Sequence, residues 1–294
     1  MRNFLYLRPK TVNETLSLLW KHGMKAAILA GGTDLMVDLK KGVKSPSCMM
    51  DIKEIDSLRG VVSVPDGSVR IGPLETMHSL GSSPVFSGGL GLLSQAASQV
   101  GSAQIRNRAT LGGNLCKASP SGDTLPALLC LDALLGLEGM QGSRRLPIQD
   151  FFRGPGMPAL DVGEVLTDIW IPAPPPDSFG VYKKLGMRKA MDLAVVGVAV
   201  FGCWDASGDR IRDIRIALGA VAPTPIRARA AEKILTGAKP TNDRIEEAAA
   251  AAVSEAAPLS DVRSSEGYRR EMIGCLVVEA VQEMLSCHPL LPRV

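Results

Sequence analysis

Ala30-Gly31-Gly32-Thr33-Asp34-Leu35 and, roughly eighty residues further on, Thr110-Leu111-Gly112-Gly113-Asn114 are two glycine-rich stretches, each following an apolar, strand-like run. Glycine admits positive φ and lets backbone N–H groups approach a ligand with no Cβ in the way, while threonine and asparagine side chains add polar contacts. On one domain, the two stretches predict two halves of one diphosphate cradle. Each alone reads rather as a tight turn, which paired glycines mark more often than a ligand site. Neither spells Gly-x-Gly-x-x-Gly ahead of a helix in a βαβ unit, and neither runs into the Gly-Lys-Ser/Thr of a P-loop. The common dinucleotide and triphosphate folds are therefore not expected.

Outward from the first stretch, Thr11-Val12-Asn13-Glu14 is a capping box that opens an amphipathic helix ending at Gly23, and Ala26 to Leu29 is a short strand feeding the loop. Met49 to Ile52 reads as a strand. Gly60–Val64 and Ser68–Gly72 flank Pro65-Asp66-Gly67, a hairpin signal. Leu90 to Val100 reads as a helix leading to the second stretch. Pro172-Ala173-Pro174-Pro175-Pro176 puts four prolines in five residues, forbids regular helix and marks an extended connector, where the domain boundary is expected. Beyond it, Leu193–Trp204 and Ile211–Leu218 read as strands joined at Ala206-Ser207-Gly208-Asp209. Thr224-Pro225 predicts the start of a helix ending at Gly237, Asp243–Ala257 is alanine-rich helix, and Glu266–Ser286 is a long amphipathic one.

Composition excludes several classes. The 294 residues, 46% hydrophobic and 21% charged, are long enough for two domains with proper cores. A net charge of +3 and only 4% aromatic residues argue against a nucleic-acid partner. No stretch is apolar enough to span a bilayer and the start lacks a signal-peptide core, so a cytoplasmic location is expected. Cys48, Cys116, Cys130, Cys203, Cys275 and Cys287 stand at least twelve positions apart. That spacing indicates no zinc site, disulfide framework or iron–sulfur cluster, and predicts buried free thiols. His22, His78 and His288 are scattered, and no catalytic triad or His-Glu-x-x-His pattern is present.

The first stretch, the segment Gln104-Ile105-Arg106-Asn107-Arg108-Ala109 running into the second, and its continuation Ala118-Ser119-Pro120-Ser121-Gly122-Asp123-Thr124-Leu125-Pro126 resemble the FAD-binding medium subunits of the molybdenum hydroxylases. Tyr182-Lys183-Lys184-Leu185-Gly186-Met187-Arg188 belongs to the same likeness, which runs from about Phe4 to the end. The resemblance implies an α+β fold: a two-lobed FAD-binding domain of the vanillyl-alcohol-oxidase (PCMH) type over residues 1–176, with lobes of about 1–58 and 59–176. A C-terminal domain of antiparallel sheet and helices over 177–294 follows. It implies that FAD is held by Leu29, Ala30, Gly31, Gly32, Thr33, Asp34, Leu35, Val100, Thr110, Gly112, Gly113, Asn114, Asp123, Leu166 and Lys184. In this reading both glycine stretches hold the diphosphate through backbone N–H groups, Asp123 contacts the flavin or its ribityl chain, and Leu166 is an apolar neighbour. Lys184 stands near the ring, where a cation would stabilise reduced flavin. Asp34 and Asp123 also read as helix caps.

The same resemblance implies an electron-transfer subunit with no catalytic residue of its own. It would take electrons from [2Fe–2S] clusters on a small partner subunit, downstream of a large molybdopterin subunit, in an αβγ assembly or its dimer, and pass them to an external acceptor. Gly136 to Pro147 contains no cysteine, so the extra cluster-bearing insertion of the 4-hydroxybenzoyl-CoA reductase flavoprotein is expected to be absent. Two other readings stay open: a free-standing flavin oxidase, for which Tyr182 is the candidate base, and a non-enzymatic nucleotide-binding protein.

Overall fold

The structure, a computed structural model, describes residues 3–287; the outermost residues of the two expected domains, His288 among them, lie outside the described residues. Strand β1 (Leu5–Leu7) leads to helix α1 (Val12–His22), where the Thr11 hydroxyl accepts from the Glu14 N–H at 3.1 Å. The Glu14 carboxylate accepts in turn from the Lys10 N–H at 2.7 Å, one residue before the position a capping box uses. Gly23, at φ 55°, ends the helix as expected. Strand β2 (Ala26–Leu29), helix α2 (Leu35–Lys40) and strand β3 (Cys48–Asp51) follow, and β3 pairs in parallel with both β1 and β2. The first glycine stretch thus does enter a helix inside a βαβ unit, although it lacks the Gly-x-Gly-x-x-Gly spelling.

Strands β4 (Val61–Ser63) and β5 (Val69–Ile71) form the expected hairpin, with Gly67 at φ 85° and the Asp66 carboxylate accepting from the Ser68 N–H. Helices α3 (Met77–Ser82), α4 (Gly91–Ser98), α5 (Ala103–Arg106), α6 (Leu111–Lys117) and α7 (Thr124–Cys130) come next. Strands β6 (Leu134–Gly139) and β7 (Gly142–Pro147), the small hairpin β8 (Phe152–Gly154) and β9 (Met157–Pro158), and strand β10 (Val165–Ile171) complete this part. An antiparallel five-stranded sheet runs β4-β5-β10-β6-β7. The proline stretch lies between β10 and the next strand.

After it, β11 (Ser178–Leu185), β12 (Val196–Trp204), β13 (Ile211–Gly219) and β14 (Ile226–Arg227) make an antiparallel sheet in sequence order, followed by α8 (Arg229–Leu235), α9 (Asn242–Glu255) and α10 (Glu266–Ser286). All nine residues of β12 are buried, because the sheet is covered on both faces. With period-two alternation, Val198 and Val200 join the core under the C-terminal helices with Ile245 and Val277, while Ala199 and Phe201 join the core that holds Leu92 of α4 and Leu128 of α7.

Three expectations are corrected. The second glycine stretch is the first turn of α6, preceded by the short α5 rather than a strand. Thr224-Pro225 does not start a helix: Ile226 and Arg227 pair with Leu218 and Ala217 on the free edge of β13, and α8 begins only at Arg229. Of the thiols, Cys48, Cys130 and Cys203 are buried, Cys116 is half-buried, and Cys275 and Cys287 are exposed, since α10 turns part of its circumference to solvent.

Candidate functional site

Beyond Leu29 the chain turns through Ala30 to Asp34 into α2. Gly32 sits at φ 79°, a conformation a side chain would strain. Gly31 packs so closely on the backbone of Arg108 that a Cβ there would overlap the Arg108 carbonyl oxygen. The helix draws its first bonds from Met36 N–H to Gly32 O at 3.1 Å and from Asp38 N–H to Asp34 O at 2.9 Å. Among the described residues, none accepts a hydrogen bond from the N–H groups of Gly31, Gly32, Thr33 or Asp34, so the turn presents a row of unengaged donors. Asp34 opens α2 without a side-chain cap. Lys117 of α6 reaches Asp38 of α2 at 2.9 Å and ties the two helices together.

The second stretch opens α6, with Thr110 as its cap. The Thr110 hydroxyl accepts from the Gly113 N–H at 3.1 Å, the Leu111 N–H goes to Glu75 O at 2.9 Å, and the Gly112 N–H goes to Pro73 O at 2.8 Å. The Asn114 N–H bonds to Thr110 O at 3.0 Å. The N–H groups from Leu111 to Asn114 are therefore engaged within the protein, whereas among the described residues none accepts from the Thr110 N–H. Glycine is required at 112 because α6 lies against Pro73, where a Cβ would stand 2.5 Å from the proline Cβ. The Asn114 carbonyl oxygen accepts from the Thr124 hydroxyl at 2.7 Å, which leaves its two amide hydrogens to give.

The two stretches border a cavity of about 980 Å³. Ala30, Gly31, Gly32, Thr33, Asp34 and Leu35 line it on one side, and Thr110, Gly112, Gly113 and Asn114 on another. Val100, Asp123 and Leu166 line it as well. Leu29 does not: it is buried beneath Gly32, packed with Leu39 and Met49. Lys184 does not line it either. It stands behind Asp123 and donates to Asp123 Oδ2 at 2.8 Å, Gln99 O at 3.0 Å and Asp192 O at 2.9 Å. Asp123 opens α7 without capping it, and its Oδ1 accepts from the Tyr182 phenol at 2.9 Å. Burial pushes the Asp123 carboxyl up, against the pull of Lys184 and Tyr182. Tyr182 itself is 3% exposed, its phenol pushed well up by burial and by Asp123, so it is not presented as a base.

Other wall residues carry no local signal in the sequence. Leu160, Val162 and Glu164 come from the loop before β10, and Met191, Asp192 and Leu193 from the loop before β12. The first loop is pinned by Arg144 of β7, which holds Glu164 by paired bonds of 2.7 Å and keeps its carboxyl below the usual range despite burial. The second is pinned where the Asp192 carboxylate accepts from the N–H groups of Arg188 and Leu193.

An extended nucleotide cofactor fits this arrangement. The volume is at the upper end for small-molecule pockets. Free backbone donors gather at a turn whose glycines leave the backbone uncovered, as a diphosphate requires. Among the described residues, no group of three or more histidine, cysteine, aspartate or glutamate side chains is placed to hold a metal ion.

The family described as the FAD binding domain in molybdopterin dehydrogenase matches residues 2–174, and that described as the CO dehydrogenase flavoprotein C-terminal domain matches residues 181–284. The chain is 36% identical over 279 residues to the carbon monoxide dehydrogenase medium chain of Hydrogenophaga pseudoflava, covering 95% of this chain and 96% of that one. It is 33% identical over 282 residues to a putative xanthine dehydrogenase FAD-binding subunit of Escherichia coli K12, covering 96% of each. It superposes with a TM-score of 0.93, at 35% identity and 97% and 98% coverage, on a chain of the H. pseudoflava carbon monoxide dehydrogenase that lacks the Mo-pyranopterin moiety of the molybdenum cofactor.

Proposed function

This chain belongs to the family of FAD-binding medium subunits of the molybdenum hydroxylases, an oxidoreductase subunit with a two-domain α+β fold, and we propose from that membership that its FAD lies along the cavity between the two glycine stretches. The observation that carries the placement is the run of unengaged N–H groups from Gly31 to Asp34, the natural seat for the diphosphate. Asn114 adds its amide hydrogens, Thr33 and Thr110 border the same space, and Leu35, Val100 and Leu166 give it apolar surface. Asp123 supplies a fixed carboxylate at the wall, and Lys184 acts on the cofactor through Asp123. When bound, FAD supplies one- and two-electron redox chemistry. The chain's residues bind and orient it, exclude water beneath it and set the charge around it.

In this reading electrons arrive from [2Fe–2S] clusters on a small partner subunit, after oxidation of the substrate on a large molybdopterin subunit, and leave to an external acceptor. The three chains form an αβγ unit or its dimer. Met24, Val162, Met191 and Leu193 line the cavity yet are each more than half exposed, an apolar rim that supports coverage by a partner. The domain boundary is placed at 176/177, between β10 and β11, with FAD-domain lobes of about 1–58 and 59–176. Free cysteines support a reducing, cytoplasmic setting, and among the described residues no helix is long and apolar enough to cross a membrane.

The test is the visible absorption spectrum of the protein with whatever co-purifies, followed by denaturation to identify the chromophore released. Flavin bands, free FAD and additional broad iron–sulfur absorbance are expected. Flavin without partner clusters would favour a free-standing oxidase. A colourless chain that cannot be reconstituted with FAD would overturn the reading.

A further inference from the structure

Three buried polar side chains meet behind the cavity wall. Asp123 is held on Oδ1 by the Tyr182 phenol and on Oδ2 by the Lys184 ammonium. Both donors come from β11, two residues apart and so on one face of the strand. The Tyr182 backbone N–H bonds to Gln95 Oε1 at 2.8 Å, which fixes the strand against α4. Opposite, Gly197 leaves room for the phenol: a Cβ there would stand 2.9 Å from its oxygen. Lys184 completes its set of acceptors with Gln99 O and Asp192 O, so the cluster joins α4, α7, β11 and the loop before β12.

We propose that Tyr182 is a positioning residue for the flavin site, which together with Lys184 holds Asp123 as an oriented, ionised carboxylate at the cavity wall. The proposal rests on the reading that the cavity holds FAD. An ionised carboxylate only accepts hydrogen bonds, whereas a protonated one also donates, so its charge decides which cofactor groups it can serve. Burial works against that charge, and so does Asp192 from the loop before β12; Lys184 and Tyr182 from β11 oppose both. Gln99 offers the cluster only a carbonyl, and Arg263, from the loop before α10, reaches the Ser121 hydroxyl at 3.4 Å rather than the carboxylate. Loss of the phenol donor therefore moves Asp123 toward its neutral form and exchanges an acceptor for a donor at the wall.

The experiment titrates the full-length apoprotein with FAD between about pH 5 and 9, a span that covers the rise of a buried carboxyl. Wild type, Tyr182→Phe, Asp123→Asn and the double variant are compared. Wild-type affinity is expected to vary least with pH, any acid-end fall lying at lower pH than in Tyr182→Phe. Tyr182→Phe is expected to bind FAD about tenfold more weakly at the acid end and to recover as pH rises, the loss of one hydrogen bond to a charged group. Asp123→Asn is expected to bind weakly at every pH, with no further change when Tyr182→Phe is added. Gly197→Ala, which crowds the phenol without removing it, is expected to reproduce the pH step should Tyr182→Phe fail to fold. A Tyr182→Phe profile parallel to wild type, or an equal loss in the Asp123→Asn background, would make Tyr182 merely structural and overturn the proposal. If wild type takes up no FAD at any pH, the cofactor reading itself falls, a result distinct from a missing pH step.

Discussion

Gly31 and Arg108 meet backbone to backbone: the carbonyl oxygen of Arg108 occupies the space that any side chain at position 31 would need. The contact seats the first glycine stretch against the segment leading into the second, and both border the cavity.

Gly31→Ala is therefore expected to separate the two stretches. Backbone cannot swing aside as a flexible side chain can, so a cost of about 1 to 3 kcal/mol is expected, together with loss of FAD. Gly267→Ala, in α10 where a Cβ would meet only open space, is the control and is expected to be neutral or stabilising by up to about 1 kcal/mol. Thermal unfolding and flavin content of the two purified variants decide. Equal behaviour would refute the steric account.

Thr110→Ala removes the cap that holds the Gly113 N–H and is expected to destabilise the protein by about 1 kcal/mol, while Thr110→Ser keeps the hydroxyl and most of the stability. Chemical denaturation of both variants checks this. A Ser variant as weak as the Ala variant would point to the methyl group instead.

Asp261 carries a pH dependence of known sign. It is partly desolvated, but bonds from Arg263 and from the buried Arg269 hold its carboxyl well below the usual carboxylate range. A folded value below the unfolded one means the contribution is complete above the unfolded carboxyl's value, about 3.9, and is lost as pH falls toward the folded value. Asp261→Asn is thus expected to be less stable than wild type at neutral pH, with the gap narrowing as pH drops below about 4. A gap in melting temperature that stays constant under acid would contradict the assignment.

Thiol reactivity should separate the cysteines by burial. Cys275 and Cys287 are exposed and are expected to react quickly in the native protein, while Cys48, Cys130 and Cys203 react only on unfolding. Cys116 lines the cavity, but burial pushes its thiol up to about 12, so little thiolate is present and its modification is expected to be slow, slower still with FAD bound. Mass spectrometry after brief alkylation distinguishes these classes, and rapid labelling of Cys116 in the FAD-loaded protein would count against the cofactor's placement.

Helix α1, the hairpin at Gly67, strands β12 and β13 and helices α9 and α10 were legible because their signals are local: a capping residue, a turn, a long apolar run, a helical period. The five-stranded sheet was not. Its central strand β10 pairs Ile169 with Ile71 on one side and with Leu135 on the other, and no local pattern names partners so distant in the chain. Thr224-Pro225 misled for a related reason. It has the chemistry of a helix start, but the open edge of β13 captured the two residues after it as β14.

The sequence by itself determined where side chains are forbidden and which family the chain resembles, since Gly31, Gly32, Gly112 and Gly113 and the residues around them carry that information in their identity. Only the tertiary structure decided which donors remain free. The N–H groups from Gly31 to Asp34 are open, whereas those from Leu111 to Asn114 are taken, two of them by Pro73 and Glu75 from a different part of the chain. Lys184, a neighbour of the cofactor by resemblance, donates to Asp123, Gln99 and Asp192, partners that no local pattern in the sequence names. A polar group's identity is written in the chain, but whether it is satisfied depends on what packs beside it, and packing brings together residues that the sequence keeps far apart.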